Sequence, residues 1–451
     1  MSWGIFRSDS SSLIPLESNN NTIYETSFMN KSAELEFDVS LSPFYVTFLL
    51  KSHINGENID IKSHRNTNFC FPVGLKSGNP TPLGISYSTN NIINFALFSK
   101  TATSVILCLF DDKSKEPVLE IDLDPYINRS GDIWHAAIEN SMEFVYYGYR
   151  IINTGQQKSN EVVLDPYVKV IGDNFLGKIS KVPSFDWSDD VPPCLPMEKL
   201  MIYRLNVTDF TKDQSSNLNE TRGTFSGVGE KLSHFKNLGV NAILLEPIVL
   251  HDKQEGPYFP SHFFSLQNSL SIKSMKEMVK KLHANGIEVL MEVVITHTSQ
   301  TSSLTKIDKP SYYLSNKNEM NCAHPVVQQL ILDSLRNWVI EFHIDGFCFI
   351  NASSMLRGFN GEILSRPPLI EAISFDPILS NTKLIADTFD PIERSAKEIK
   401  FPHWKRWAEM NAMFFRDTRN YLRGETLVSN LATRICGSGD MFLNGRGPGF
   451  S

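Results

Sequence analysis

No stretch of this 451-residue chain approaches the roughly 18 consecutive apolar residues that cross a bilayer. A run such as Phe44–Leu50 is only strand length, so no membrane partner is expected. Positive charge is also scarce. There are 43 basic and 50 acidic side chains, a net charge of −7, and no run of Lys or Arg is longer than two. That argues against nucleic acid or an anionic membrane surface as the main partner. Cysteine is sparse too. Cys70, Cys108, Cys194, Cys322, Cys348 and Cys436 are scattered, without a CxxC pair or a Cys/His cluster. No zinc or other metal, no cofactor and no disulfide framework is expected; free thiols in a reducing setting are. The first residues are Ser-rich but carry Asp9 and Glu17 and little Arg, which does not read as a signal or transit peptide.

What is present is ordinary globular composition, with 41% hydrophobic and 21% charged residues, in a chain long enough for two or three domains. Residues 1–69 read as an N-terminal extension. Its first thirty residues are Ser/Asn-rich and expected to be disordered. Ala33–Lys51 is expected to form a hairpin, with Leu35, Phe37 and Val39 on one face. Residues 70–165 read as a β-sandwich, with strands at Ile92–Ser99, Ser104–Asp111, Val118–Leu123, Ile133–Glu139 and Val145–Ile152 between turn-forming clusters. A Pro/Gly/Ser-rich linker spans 166–196. From 197 to 451, apolar strands alternate with helices, the pattern of a parallel α/β sheet covered on both faces. Strands are expected at Met201–Val207, Asn241–Val249, Ile287–Ile295, Ile344–Asn351, Lys383–Phe389 and Trp404–Asn411, with no seventh.

Residues Ile344–Ser353 read I-D-G-F-C-F-I-N-A-S. This has the frame of V-D-G-F-R-F-D-x-A-S, a barrel-strand motif of starch-cleaving enzymes. Further motifs follow the same order. They include Pro82-Leu-Gly-Ile, Asn128-Arg-Ser-Gly-Asp-Ile-Trp134-His135, Tyr147-Gly-Tyr149-Arg150, Leu164-Asp-Pro-Tyr167, Asn321-Cys-Ala-His324-Pro325 and the Pro367–Leu379 segment. Together they resemble the plant isoamylase-type starch debranching enzymes of the α-amylase superfamily, and among these the noncatalytic type.

The resemblance implies a multidomain fold, a glucan-binding β-sandwich followed by a (β/α)8 TIM-type barrel, here expected to stop after about six β/α units. A genuine six-stranded doubly wound domain is the alternative. It also implies a retaining mechanism, which needs a nucleophile and an acid about 5–5.5 Å apart. The positions that match these groups are altered. The nucleophile position is Ile350, which cannot form a glycosyl ester, and its Arg partner position is Cys348. The general-acid position is Asp387, shorter than Glu by one methylene, about 1.5 Å. A third carboxylate would lie beyond Ser451. The family's D-V-V-F-N-H is Glu292-Val-Val-Ile-Thr296-His297, and its W-G-Y is Gly256-Pro-Tyr258.

No intact catalytic set is therefore expected. Trp134, Tyr147, Tyr149, Tyr258 and His297 are the candidate sugar contacts, although alternating aromatics in strands also pack as core. Asp345 is expected to be structural, Cys348 a buried small hydrophobe, and the pair Trp404/Trp407 either core or cleft wall. Glu292 and Asp390 are weaker candidates for a replacement nucleophile. The implied partners are branched α-glucan and a catalytic isoamylase subunit, and the implied compartment is the chloroplast or amyloplast stroma. An active α-1,6-glucosidase and a stand-alone glucan binder remain the rival readings.

Overall fold

The computed structural model describes residues 1–7, 24–29, 32–39, 42–54, 57–62, 68–88, 92–139, 144–153, 160–179, 184–267, 271–314, 318–388, 401–402, 406–425, 427–440 and 449–450. Trp404 and Asp390 lie outside them, as do residues 8–23 of the expected disordered stretch. Two compact units form, Met1–Val182 with Lys306–Asp308, and Pro183–Thr305 with Lys309–Ser451. Among the described residues no helix is long and apolar enough to cross a membrane.

The first unit opens with a correction. Ser2–Phe6 is a strand, paired antiparallel to Phe44–Ile54, with Tyr24–Glu25 on its other side. Trp3 is buried in a cluster with Phe44 and Val46, and its indole N–H donates to Thr26 Oγ1 at 2.9 Å. Burial of Trp3 outweighs the polar composition that follows it. The expected hairpin is also displaced. Phe44–Ile54 pairs with Glu57–Ile61 and Phe69–Val73, while Leu35 and Phe37 pack on the cluster as irregular chain.

The sandwich forms as expected. One sheet runs in the order Leu119–Asp122, Ala102–Phe110, Tyr146–Asn153, Gly177–Lys178. The other runs Arg129–Ser130, Ile133–Ile138, Ile93–Phe98, Gly84–Tyr87. The expected glucan-stacking role of three aromatics is not met. Trp134, Tyr147 and Tyr149 are 1%, 0% and 1% exposed. The Trp134 indole donates to the Ser99 carbonyl, and Tyr147 packs edge-on against Phe95 and Tyr149. These rings supply the largest side chains of the sandwich core, so their faces meet protein and not sugar.

Tyr147 donates its hydroxyl to Asp165 at 3.0 Å, and the Tyr167 amide donates to the same carboxylate. Burial dominates those bonds and pushes the Asp165 carboxyl up to about 6. A raised acid favours the folded state most below its unfolded value of about 3.9, and that advantage is lost as pH rises through about 6. The stability difference between Asp165→Asn and the parent should therefore shift by roughly 2 kcal/mol in favour of the variant between pH 4 and pH 6.5. Parallel urea titrations would measure it; a difference independent of pH would count against a raised Asp165 carboxyl. The hydroxyl of Tyr149 is buried without a hydrogen-bond partner. Tyr149→Phe should accordingly stabilise the chain by about 1 kcal/mol, visible as a raised melting temperature.

Among the described residues, the second unit holds a seven-stranded, wholly parallel sheet: Ile202–Leu205, Ala242–Leu245, Glu288–Val293, Gly346–Phe349, Lys383–Ala386, Trp407–Met410 and Gly449–Phe450. The seventh, two residues long, corrects the expectation of six. The strands are mostly apolar because helices such as Ile272–His283 and Pro325–Phe342 alternate with them. Helix Pro325–Phe342 starts with Pro at its first turn, where no amide is needed, and ends at His343 in the left-handed region. Trp407 is buried, and its indole donates to Ser374 Oγ at 2.7 Å, which settles it as core. Gly346 is required by proximity: a Cβ there would lie 2.6 Å from that of Lys383.

The amino-terminal ends of these strands carry the structural charges. Asp345 accepts the Val289 amide at 2.7 Å and meets His283 Nε2 at 2.9 Å. Asp190 meets His283 Nδ1 at 2.9 Å and His343 Nδ1 at 2.5 Å, and Trp187 stacks on His343 at 3.8 Å. Glu288 pairs with Lys383 at 2.5 Å and accepts the Leu195 amide at 2.6 Å. The stretch Trp187–Leu195, read as linker, is thus pinned to the second unit, while Gly177–Lys178 belongs to a sandwich sheet.

Candidate functional site

Barrel-type α/β enzymes place their chemistry at the carboxyl ends of the parallel strands, and the altered motif residues converge there. Side chains two apart along a strand share a face. Ala242, Leu244, Leu290, Cys348, Ile385 and Ala408 form one buried layer, with Ile202 and Ile350 packed on it. Ile350 therefore extends the apolar interior. Its amide donates to the Val293 carbonyl at 3.0 Å, and the neighbouring strand is stitched on by Asp387 N–H to Phe349 O and Ala352 N–H to Asp387 O. Phe349 pairs with Ala386, so Asp387 shares the face of Ile350. The expected nucleophile and acid positions are brought together, but the first is hydrocarbon.

Cys348 is 1% exposed. Burial, and then the charges of Glu292 and Asp387, push its thiol well above the ordinary range. It stays protonated and packs as a small hydrophobe, as expected.

Glu292 lies opposite Cys348 in register and is 2% exposed. Its partner was not foreseen. Arg204, on the first strand, contacts Glu292 Oε1 through Nε at 2.5 Å and Oε2 through Nη2 at 3.2 Å. The same guanidinium reaches Glu246 at 3.0 Å and the Tyr258 hydroxyl at 2.5 Å. Tyr258 donates to Glu292 Oε2 at 2.8 Å, and Asn206 Nδ2 donates to Glu246 at 3.1 Å. The bond to Glu292, against the opposing effect of burial, raises Arg204 further above its ordinary value. Burial and the Glu292 charge raise the Tyr258 phenol. The guanidinium beside Glu292 thus arrives from the first strand, two strands away in the sheet. The signal was legible only as a charged residue within the apolar strand M-I-Y-R-L, and its partner stands 88 positions away.

His297 Nε2 donates to the Tyr258 carbonyl at 3.0 Å, and Nδ1 accepts from Thr296 Oγ1 at 3.1 Å. Burial lowers its pKa, which fits this neutral form. Both ring nitrogens are engaged, so His297 positions the Tyr258 loop. Chemically, both oxygens of Glu292 and both of Glu246 are occupied by donors. Neither carboxylate is placed to attack an anomeric carbon without breaking a charge-assisted bond. Among the described residues no group of three His, Cys, Asp or Glu side chains could hold a metal ion.

Residues 82–168 match Carbohydrate-binding module 48 (Isoamylase N-terminal domain), and residues 207–310 match Alpha amylase, catalytic domain. The chain is 53% identical to Isoamylase 2, chloroplastic of Arabidopsis thaliana, over 100% of this chain and 56% of that protein. It is 48% identical to Isoamylase 2, chloroplastic of Oryza sativa subsp. japonica, over 93% of this chain and 57% of that protein. The chain belongs to the isoamylase family. This isoamylase-family chain spans just over half the length of the curated relatives it matches. A pullulanase from Paenibacillus barengoltzii complexed with maltotriose shares its fold, with a TM-score of 0.61 at 22% identity over 75% of this chain and 59% of that one. The family frame therefore surrounds a strand-end site built of Ile350, Cys348 and the Arg204 cluster.

Proposed function

We propose that this chain is a catalytically incompetent, isoamylase-like regulatory subunit of plastid starch metabolism. In this reading it supports α-1,6 debranching of amylopectin by a catalytic isoamylase. The observation that carries it is Ile350, packed on the apolar layer of Leu244, Leu290, Cys348 and Ile385. A fold can keep its core and surfaces after losing its chemistry. Such a protein acts on starch only through something that cuts. Similarity to relatives named as chloroplastic isoamylases supports the plastid location and the branched-glucan substrate.

Co-expression with an active isoamylase tests the partnership. A heteromer burying at least about 1,000 Å² is expected if the contact is stable, seen as a single heavier species by light scattering. Two species that stay apart at micromolar concentration, with the partner's activity unchanged, would favour a stand-alone glucan binder.

A further inference from the structure

The sheet built on Phe44–Ile54 in the first unit has one apolar face, and only part of it is covered. We propose that the open part holds an extended segment of a partner protein, one in which apolar side chains alternate with Lys or Arg. The inference deepens the function proposed above and rests on it, because a chain that acts through a partner needs a surface that holds the partner.

Strand register defines the face. Leu50 stands opposite Ile61, Ser52 opposite Ile59, Phe48 opposite Phe69 and Val46 opposite Phe71. Residues opposite each other share a face, and their chain neighbours point the other way. Tyr45 and Thr47 are such neighbours, and both are buried. Leu35 and Phe37 cover the Phe44 end of the apolar face, where Phe37 meets the rings of Phe44 and Phe71 at 5.8 and 6.1 Å. Further along, the face opens. Ile59, Ile61 and Phe71 are 47%, 43% and 36% exposed, while Phe48, Leu50 and Phe69 are half-buried. Phe48 stacks on Phe69 at 5.6 Å and lies 6.4 Å from Phe71, so these side chains form one strip. Contiguous apolar surface with a polar rim marks a protein contact. The six side chains carry no hydroxyl or amide with which to orient a sugar. The strip also lies outside residues 82–168 and 207–310, the stretches that match family models.

The cover over the Phe44 end identifies the occupant. Residues 33–38 alternate, with Leu35 and Phe37 half-buried on the face and Glu34, Glu36 and Asp38 exposed. A period of two is that of extended chain. The face therefore already takes one extended segment, and the strip beside it has the same chemistry. Charge sets the rest. Among the described residues, Glu34, Glu36, Asp38 and Glu57 border this face, all acidic and all exposed. Lys51 lies on the opposite face, across from Asp60, and Lys62 donates to Asn68 Oδ1 at 2.9 Å. An acidic rim favours a basic partner and disfavours an acidic one.

The test uses the full chain. The heptapeptide acetyl-Lys-Leu-Lys-Phe-Lys-Leu-Lys-amide should bind by titration calorimetry, more weakly as salt rises. The same peptide with Glu in place of Lys should bind at least tenfold more weakly. The double variant Ile59→Lys, Ile61→Lys should keep its melting temperature and lose at least tenfold in affinity, both for the peptide and for a co-expressed active isoamylase. In the heteromer, hydrogen exchange should slow in residues 57–61 and 69–73. A heteromer of unchanged affinity in the folded double variant, or protection confined to other residues, would overturn the proposal and leave the regulatory reading standing. Peptide protection of this face in a chain that forms no heteromer would do the reverse. Self-association of the parent that the double variant abolishes would assign the face to a second copy, and protection of the same residues by maltohexaose would assign it to glucan; either overturns the proposal. Should the variant fail to fold, the exchange map of the parent with the peptide decides.

Discussion

Purified chain incubated with amylopectin should release no linear chains, and Ile350→Asp should not change that. Loss of one member of a catalytic unit can lower turnover on the order of a million-fold, and Ile350 offers no atom that could bond to an anomeric carbon. The reverse substitution meets three obstacles. The new carboxylate would join the layer of Leu244, Leu290, Cys348 and Ile385, where burial raises a carboxyl pKa and favours its protonated, non-nucleophilic form. No guanidinium stands at Cys348, and that of Arg204 is occupied by Glu292 and Glu246. Asp387, one residue past the Phe349–Ala386 pair, is a methylene shorter than the Glu that the family resemblance would place there. Reducing-end assays with host debranching enzymes removed would measure both proteins. Turnover in Ile350→Asp near that of an active isoamylase would show that the rest of the site is intact, contrary to this account.

The second large effect is on stability. Burial disfavours charge on His283, but its contacts with Asp345 and Asp190 outweigh burial and hold the imidazolium above its ordinary value. A raised base contributes fully below its unfolded value of about 6.5, and the contribution is lost as pH rises through the folded value. His283→Leu would leave Asp345 and Asp190 buried without their shared cation. Breaking such a pair costs about 3–5 kcal/mol, a large fraction of the roughly 5–15 kcal/mol that stabilises a domain. Denaturant titration at pH 6 should show the full loss. At pH 9 the gap between variant and parent should narrow. A gap that stays constant with pH would mean that His283 is neutral throughout and acts only by packing.

How much was legible depended on how local each cause was. The parallel strands announced themselves as short apolar runs because both faces are covered, and six of the seven were found within a few residues. Gly449–Phe450 was missed because two residues carry no pattern. Ser2–Phe6 was missed because its partner begins only at Phe44, and nothing local distinguishes Trp3 from a residue in a polar tail. The motif aromatics Trp134, Tyr147 and Tyr149 were legible as strand residues, but not as core. An aromatic reads the same on either face until the second sheet closes over it. At the site, the departures from the motif at Ile350 and Cys348 were plain. The Arg204–Glu292–Glu246–Tyr258 cluster was not, since three strands must come into register, and the Tyr258 loop must fold over them, before those groups meet. Asp345 could be assigned a structural role from its motif, but its relay through His283 to Asp190 depends on a segment that reads as linker.

The strand register also has a consequence for the ribosome. Leu290 must wait for Gly346, its partner on the next strand and 56 residues further along the chain. At synthesis rates of roughly 5–20 residues per second, that gap lasts about 3–11 s. During it, the apolar edge Glu288–Val293 has left the exit tunnel without its neighbour, and such an edge templates pairing between chains. Yield of soluble protein should therefore depend on what shields nascent chains in that interval, and co-producing a ribosome-associated chaperone should raise it more than lowering the inducer alone.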